Sequence, residues 1–157
     1  MPEGMRVAFY AARIAALGEQ AEQRGVTALT TEYSNEVKTM MRDSPASGRI
    51  YRGKGKRAHQ ASAPGEPPAP DTGDLLRSIV FRIRKTDFGW IGEVGSRLRY
   101  ALYLEYGAAK GRRDQSGKLQ GVQWILFPRP VWGPAMGNIR RRAREILRRA
   151  GLGMRVS

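Results

Sequence analysis

Four prolines stand within seven positions, at Pro64, Pro67, Pro68 and Pro70, and no other feature restricts the fold of this chain as much. Each ring fixes φ, removes a backbone donor and pushes the residue before it out of the helical region. The segment is therefore expected to run extended and to face solvent, as a stiff arm. A helix follows at once, with Asp71 or Thr72 placed to cap it and Asp74 bringing negative charge to its first free N–H groups. The arm closes a longer stretch, residues 46 to 71, that is rich in Gly, Pro, Lys and Arg and has almost no apolar period. It is expected to be a long loop, of the kind that is either functional or disordered.

On both sides of this stretch the apolar residues are periodic. Val7, Tyr10, Ala11, Ile14 and Leu17 predict an amphipathic helix over residues 3 to 17. A second helix is expected from Gln20 to Arg42, with Leu29, Tyr33, Val37 and Met40 or Met41 on one side and Ser44-Pro45 as its stop. Beyond the arm, a short helix over 72 to 78 leads into a strand in which Ile79, Phe81 and Ile83 alternate with Val80, Arg82 and Arg84. Thr86-Asp87-Phe88-Gly89 supplies a turn and residues 90 to 95 a second strand, giving an antiparallel hairpin. YALYLEYG, residues 100 to 107, reads as a helix ended by Gly107 in a left-handed position. AKGRRDQSGKLQG then reads as a polar loop, VQWILF as a third strand, and PRPVWGP as a bend into a last helix. That helix carries Ile139, Ala143, Ile146, Leu147 and Ala150 as its apolar stripe, with Arg140, Arg141, Arg144 and Arg148 mostly elsewhere around the wheel. The fold class is α+β: N-terminal helices, a small mainly antiparallel sheet of three to four strands, a basic C-terminal helix and one long extended loop and arm. With 157 residues, 41% of them apolar, the chain amounts to a single domain over 1–157, with the loop and arm at 46–71.

Charge narrows the partners. The chain holds 28 Lys and Arg against 14 Asp and Glu, a formal net charge of +14, which points to a polyanion such as nucleic acid or an acidic protein surface. The cations are uneven: residues 1 to 48 hold five against six acids, Arg49, Arg52, Lys54, Lys56 and Arg57 follow with no acid between them, and the last 29 residues hold eight arginines against one glutamate. Apart from Tyr51, aromatic residues do not interleave with the loop cations, which disfavours a stacking platform for single strands. No uncharged stretch reaches the roughly 20 residues that span a bilayer, and the amino end does not read as a signal peptide, so a soluble protein without a membrane partner is expected.

Catalytic chemistry finds little support. With no cysteine there is no disulfide framework, thiol nucleophile or thiolate metal site. The single histidine, His59, sits in the basic loop without a triad or metal pattern around it. Glu66, Asp71 and Asp74 lack cation-binding spacing and read as capping or turn residues, and no metal or cofactor is assigned. Glu105, between Tyr103 and Tyr106, has no second carboxylate or base in any recognisable motif, so a structural hydrogen bond is the expectation there and no catalytic residue is assigned.

SPASGRIY, PGEPPAPDTGDLLRSI, YALYLEYG and PRPVWGPA, in this order over about residues 35 to 150, resemble the neck and tail-completion proteins of long-tailed bacteriophages. The family is the gene-product-ten type of lambdoid phages, with lambda's minor tail component Z a more distant counterpart. Ser44-Pro45, Thr72 to Ile79, Tyr100 to Gly107 and Arg129-Pro130 carry the likeness, while Ala108 and the long Gly-Lys-Gly-Lys connection depart from it. The resemblance implies a structural virion protein, not an enzyme. It would form a homo-oligomeric ring between the head connector and the tail terminator or tube, assembled in the host cytoplasm, with double-stranded DNA passing through. In such a ring Pro64, Pro67, Pro68 and Pro70 are expected to form an inter-subunit arm, because proline lowers the ordering cost of reaching a neighbour. Arg49, Arg52, Lys54, Lys56 and Arg57 are expected at the DNA channel or an inter-ring contact. The alternative from charge alone is a stand-alone basic DNA-binding protein.

Overall fold

The computed structural model describes residues 6–10, 18–52, 58–117 and 119–152. Its longest helix, α1 (Glu19–Arg42), begins with Glu19 and Glu22 in the first turn, where carboxylates favour the helix dipole, and stops at Asp43, whose N–H bonds the Thr39 carbonyl. Val26, Thr30, Tyr33, Val37 and Met41 recur at helical spacing and are all buried, as the sequence stripe requires.

This stripe lies on a three-stranded antiparallel sheet of order β1-β5-β4, formed by β1 (Arg6–Tyr10), β4 (Ile79–Thr86) and β5 (Gly89–Ser96). The β4–β5 hairpin has the expected turn, closed by the Thr86 hydroxyl donating to the Gly89 carbonyl at 2.8 Å. As the central strand, β5 is buried from Ile91 to Ser96. Helix α1 crosses it in direct contact at Gly92, where an added Cβ would lie 1.7 Å from Thr30 Oγ1. On the opposite face Glu93 is buried and accepts hydrogen bonds from Arg82 Nη2 at 2.6 Å and Nε at 3.0 Å, with Arg84 Nε at 3.4 Å. Phe81 stands on an edge strand and stays 46% exposed, less covered than the alternation implies.

Strand β1 corrects the helix expected over 3 to 17. Arg6–Tyr10 pairs antiparallel with β5, Arg6 opposite Gly95 and Tyr10 opposite Ile91; residues 3–5 and 11–17 of the expected helix lie outside the described residues. The run RVAFY is rich in β-branched and aromatic residues, and the unpaired edge of β5 offers its backbone a full ladder, which outweighs a short helical period.

Beyond the sheet, α2 (Asp74–Ser78) leads into β4, and α3 (Tyr100–Tyr106) ends at Gly107 with φ 75°. The polar loop expected at 109 to 121 is a second correction. β6 (Ala108–Arg113) and β7 (Leu119–Leu126) form an antiparallel hairpin, whose register shifts between Lys110 and Arg112. Asp114 Oδ1 accepts from the Ser116 N–H and hydroxyl in the turn, and backbone pairing forms strands where composition shows only polar residues.

The last helix, α4 (Trp132–Arg149), packs along α1. Trp132, Ala135, Ile139 and Ile146 join Tyr33, Val37, Met41 and Val94 in the main core, and Leu147 packs with Ala21, Val26 and Leu152 in a second cluster. The architecture is the expected α+β one. No helix among the described residues is long and apolar enough to cross a membrane.

Candidate functional site

The proline arm is fastened to its own chain. Ser44 Oγ donates to the Pro67 carbonyl at 2.7 Å, the Gly65 N–H to the Pro128 carbonyl at 2.9 Å, and Arg129 Nε to the Ser62 carbonyl at 3.0 Å. The Glu66 carboxylate accepts from the Ser47 hydroxyl and from the Ala63 N–H at 2.8 Å, and these bonds, the Ser47 hydroxyl's first, hold its pKa below the ordinary value. Pro68 is buried, which corrects the expectation of a solvent-facing segment; Pro67 is half-buried, and Pro64 and Pro70 are exposed. The reason is apolar surface: Pro68, Met41, Leu75 and Leu104 line a groove of about 360 Å³ that also borders Tyr51, His59 and Tyr100. The N-cap position of α2 is Gly73, left-handed at φ 78°, and of the two expected caps Thr72 contributes from one residue earlier, its Oγ1 accepting the Asp74 N–H at 3.4 Å. Thr72 Oγ1 also donates to the Asp74 carboxylate, and Arg77 Nη2 bonds Asp74 Oδ1 at 2.7 Å.

At the foot of the basic loop, β2 (Ile50–Tyr51) and β3 (His59–Gln60) pair antiparallel, so the expected loop carries a small ladder. Arg49 and Arg52 are exposed, and the Arg49 guanidinium lies 5.6 Å from the Tyr51 ring centroid. Lys54, Lys56 and Arg57 lie outside the described residues. His59 Nδ1 is 3.7 Å from Asp71 Oδ1, an ion pair only when the imidazole is protonated.

Glu105 makes the structural bond expected of it. Its Oε2 accepts the N–H groups of Val131 at 2.8 Å and Trp132 at 3.2 Å, and its Oε1 accepts that of Gly133 at 3.1 Å. These are the free donors of the first turn of α4, which has no acid of its own and no side-chain cap from Val131. Tyr33 completes the node by donating to the Trp132 carbonyl at 3.0 Å. Burial, and then the charge of Glu105, push the Tyr33 phenol well above its usual range. With both carboxylate oxygens engaged by a helix terminus, Glu105 has a positioning geometry and not that of a general acid.

Exposed apolar side chains gather nearby. Leu102, Tyr103 and Tyr106 on α3 are 43–67% exposed, and Trp124 and Ile125 on β7 and Phe127 after it are 49–55% exposed. The two elements adjoin, because the Arg129 N–H bonds the Leu104 carbonyl at 2.6 Å, Ala108 pairs with Leu126, and a Cβ added at Gly107 would lie 2.8 Å from the Leu126 carbonyl oxygen. Trp124 and Ile125 are successive residues of one strand and point to opposite faces, so the β6–β7 ribbon leaves apolar side chains open on both. Sequence inspection reads this ribbon only in part; the turn residues of Asp114-Gln115-Ser116-Gly117 between two runs of similar length are the signal for it.

On α4 the arginines divide into two sets. On the flank near α1, Arg142 reaches Glu36 at 3.3 Å and Glu32 at 4.0 Å, and farther along α4 Arg149 pairs with Glu145. Arg140, Arg141, Arg144 and Arg148 are exposed and have no carboxylate partner among the described residues, although Arg141 donates to Asn138 Oδ1.

Three features stand out on this domain: an apolar ribbon open on both faces, an arm fastened to its own chain, and a basic helix face whose arginines have no carboxylate partner among the described residues. The family described as "Bacteriophage HK97-gp10, putative tail-component" matches residues 12–107, more than half of the chain, and the protein belongs to this family of bacteriophage tail components. The match ends at the close of α3, so β6, β7 and α4 lie beyond it. Neither the curated proteins nor the solved structures contain a match.

Proposed function

We propose that this tail component is a structural protein of the virion neck, forming a homo-oligomeric ring that joins the head connector to the tail and lets DNA pass. Membership of the tail-component family supports a virion role, and the observation that carries the ring is the β6–β7 ribbon. A two-stranded ribbon is marginal by itself, and one with Trp124 and Ile125 open on opposite faces gains stability when neighbouring subunits cover them. In the ring, the exposed Pro64 and Pro70 of the arm meet the adjacent subunit. Arg49, Arg52, Lys54, Lys56 and Arg57 face the channel or the neighbouring head-connector or tail-terminator ring. The reading assigns no catalysis.

Replacing Trp124 and Ile125 together with serine tests it. Both positions are exposed, so the melting temperature of the isolated protein should shift by no more than about 2 °C. In a phage complementation assay the variant should leave filled heads and tails unjoined and lower the titre by at least tenfold. Wild-type titres from the variant, or absence of the protein from purified particles, would overturn the proposal. A wild-type protein that stays monomeric and coats host DNA would favour the stand-alone alternative.

A further inference from the structure

We infer that the outer face of α4, through Arg140, Arg144 and Arg148 with Arg141 beside them, binds the phosphate backbone of double-stranded DNA. The inference rests on the neck reading for the source of the DNA, and its geometry is independent of it.

Arg140, Arg144 and Arg148 recur every four residues, so they form one slowly winding row with steps of about 6 Å along the axis. A DNA strand presents a phosphate about every 3.4 Å, so a row of roughly 12 Å spans three or four of them. This face lies opposite Ile139, Ile146 and Ala135, which are buried, and the core side therefore fixes which way the row points. An ordinary solvated helix face mixes signs. Here the one acid of α4, Glu145, is taken by Arg149, and the nearest carboxylates of α1, Glu32 and Glu36, are turned to Arg142 on the flank. Four guanidinium groups within three turns repel one another, and a polyanion relieves that repulsion. Trp132, the one aromatic residue of α4, is buried, so the face offers charge without a stacking platform, which suits a duplex backbone and not unpaired bases. A duplex held through phosphates alone is free to slide.

The test is the salt dependence of binding to a short duplex, read by fluorescence anisotropy. Wild-type affinity should fall with salt, and changing Arg140, Arg144 and Arg148 to glutamine should flatten the log–log slope by about 2.7 and weaken binding roughly a hundredfold at about 0.1 M salt. Lysine at the same three positions keeps the charge and should keep most of the slope. Glutamine at Arg77, Lys85 and Arg97, exposed cations beside the β4–β5 sheet, removes the same net charge and should leave the slope within about one unit of wild type. No duplex binding by the wild-type protein, or equal flattening in both glutamine variants, overturns the inference. So does a row variant that keeps its slope yet fails to join heads to tails, since the row would then face an acidic protein surface. Absence of the protein from purified particles sinks the neck reading instead, whatever the slopes show.

Discussion

Glu105→Ala is expected to destabilise the protein by about 3 kcal/mol, lowering the melting temperature by roughly 6–12 °C. The carboxylate satisfies three N–H groups at the start of α4, two of them in the buried setting of Val131 and Trp132. Alanine would leave those donors without an acceptor, remove a favourable charge from the positive end of the helix and open space beside Trp132. Glu105→Gln keeps one acceptor oxygen and the shape, and should cost about half as much, since hydrogen bonds to a charged group are about twice as strong as neutral ones. Thermal unfolding followed by circular dichroism checks both. Equal melting temperatures for wild type and Glu105→Ala would show that water serves the helix terminus as well as the carboxylate does.

Gly92→Ala is expected to cost at least as much, about 3 kcal/mol or more, because the new methyl group would lie 1.7 Å from Thr30 Oγ1 and 2.9 Å from Thr30 Cβ. Thr30 is completely buried and its hydroxyl is committed to the Val26 carbonyl at 2.6 Å, so it cannot swing aside cheaply. The helix would have to lift from β5 over the length of the contact. Thr30→Ala in the same chain removes the hydroxyl and the γ-methyl group and should restore part of the loss, leaving the residue from the Cβ contact. Additive losses in the double-mutant cycle would mean that the two positions do not meet.

What the sequence makes legible follows from the range of the interactions involved. Helix α1, the β4–β5 hairpin and α4 are fixed by local period, by Ser44-Pro45 and by the Thr86–Gly89 turn, all of which act within a few residues. Strand β1 is decided elsewhere, by the open edge of β5 more than 80 positions along the chain, and the same letters fit a helical period until that edge is known. Strand β6 is similar: AAKGRR has no strand composition, and its pairing with β7 supplies the order. The prolines dictate an extended backbone, yet not its destination; Pro68 is buried because Met41, Leu75 and Leu104 come together only in the folded chain. Glu105 stands 26 to 28 positions before the three N–H groups it accepts, and Tyr33 99 positions before Trp132, and no spacing rule joins them. The arginine row can be drawn on a helical wheel, but that it has no carboxylate partner among the described residues emerges only once α1 brings Glu36 to Arg142.

If subunits associate through the open ribbon of β6 and β7 and hold DNA through α4, as proposed, ionic strength acts on the protein in two opposed ways. Covering Trp124 and Ile125 with a neighbouring copy is an apolar gain that added salt leaves in place, while the +14 charge of each copy resists the approach and is screened as salt rises over the Debye length. The proposed self-association therefore strengthens with salt. The proposed grip of the basic helix on a duplex weakens with it, through the return of counterions. Under these two proposals, concentrated electrolyte favours subunits joined to each other and loosely threaded, and dilute electrolyte favours separate subunits held on the nucleic acid.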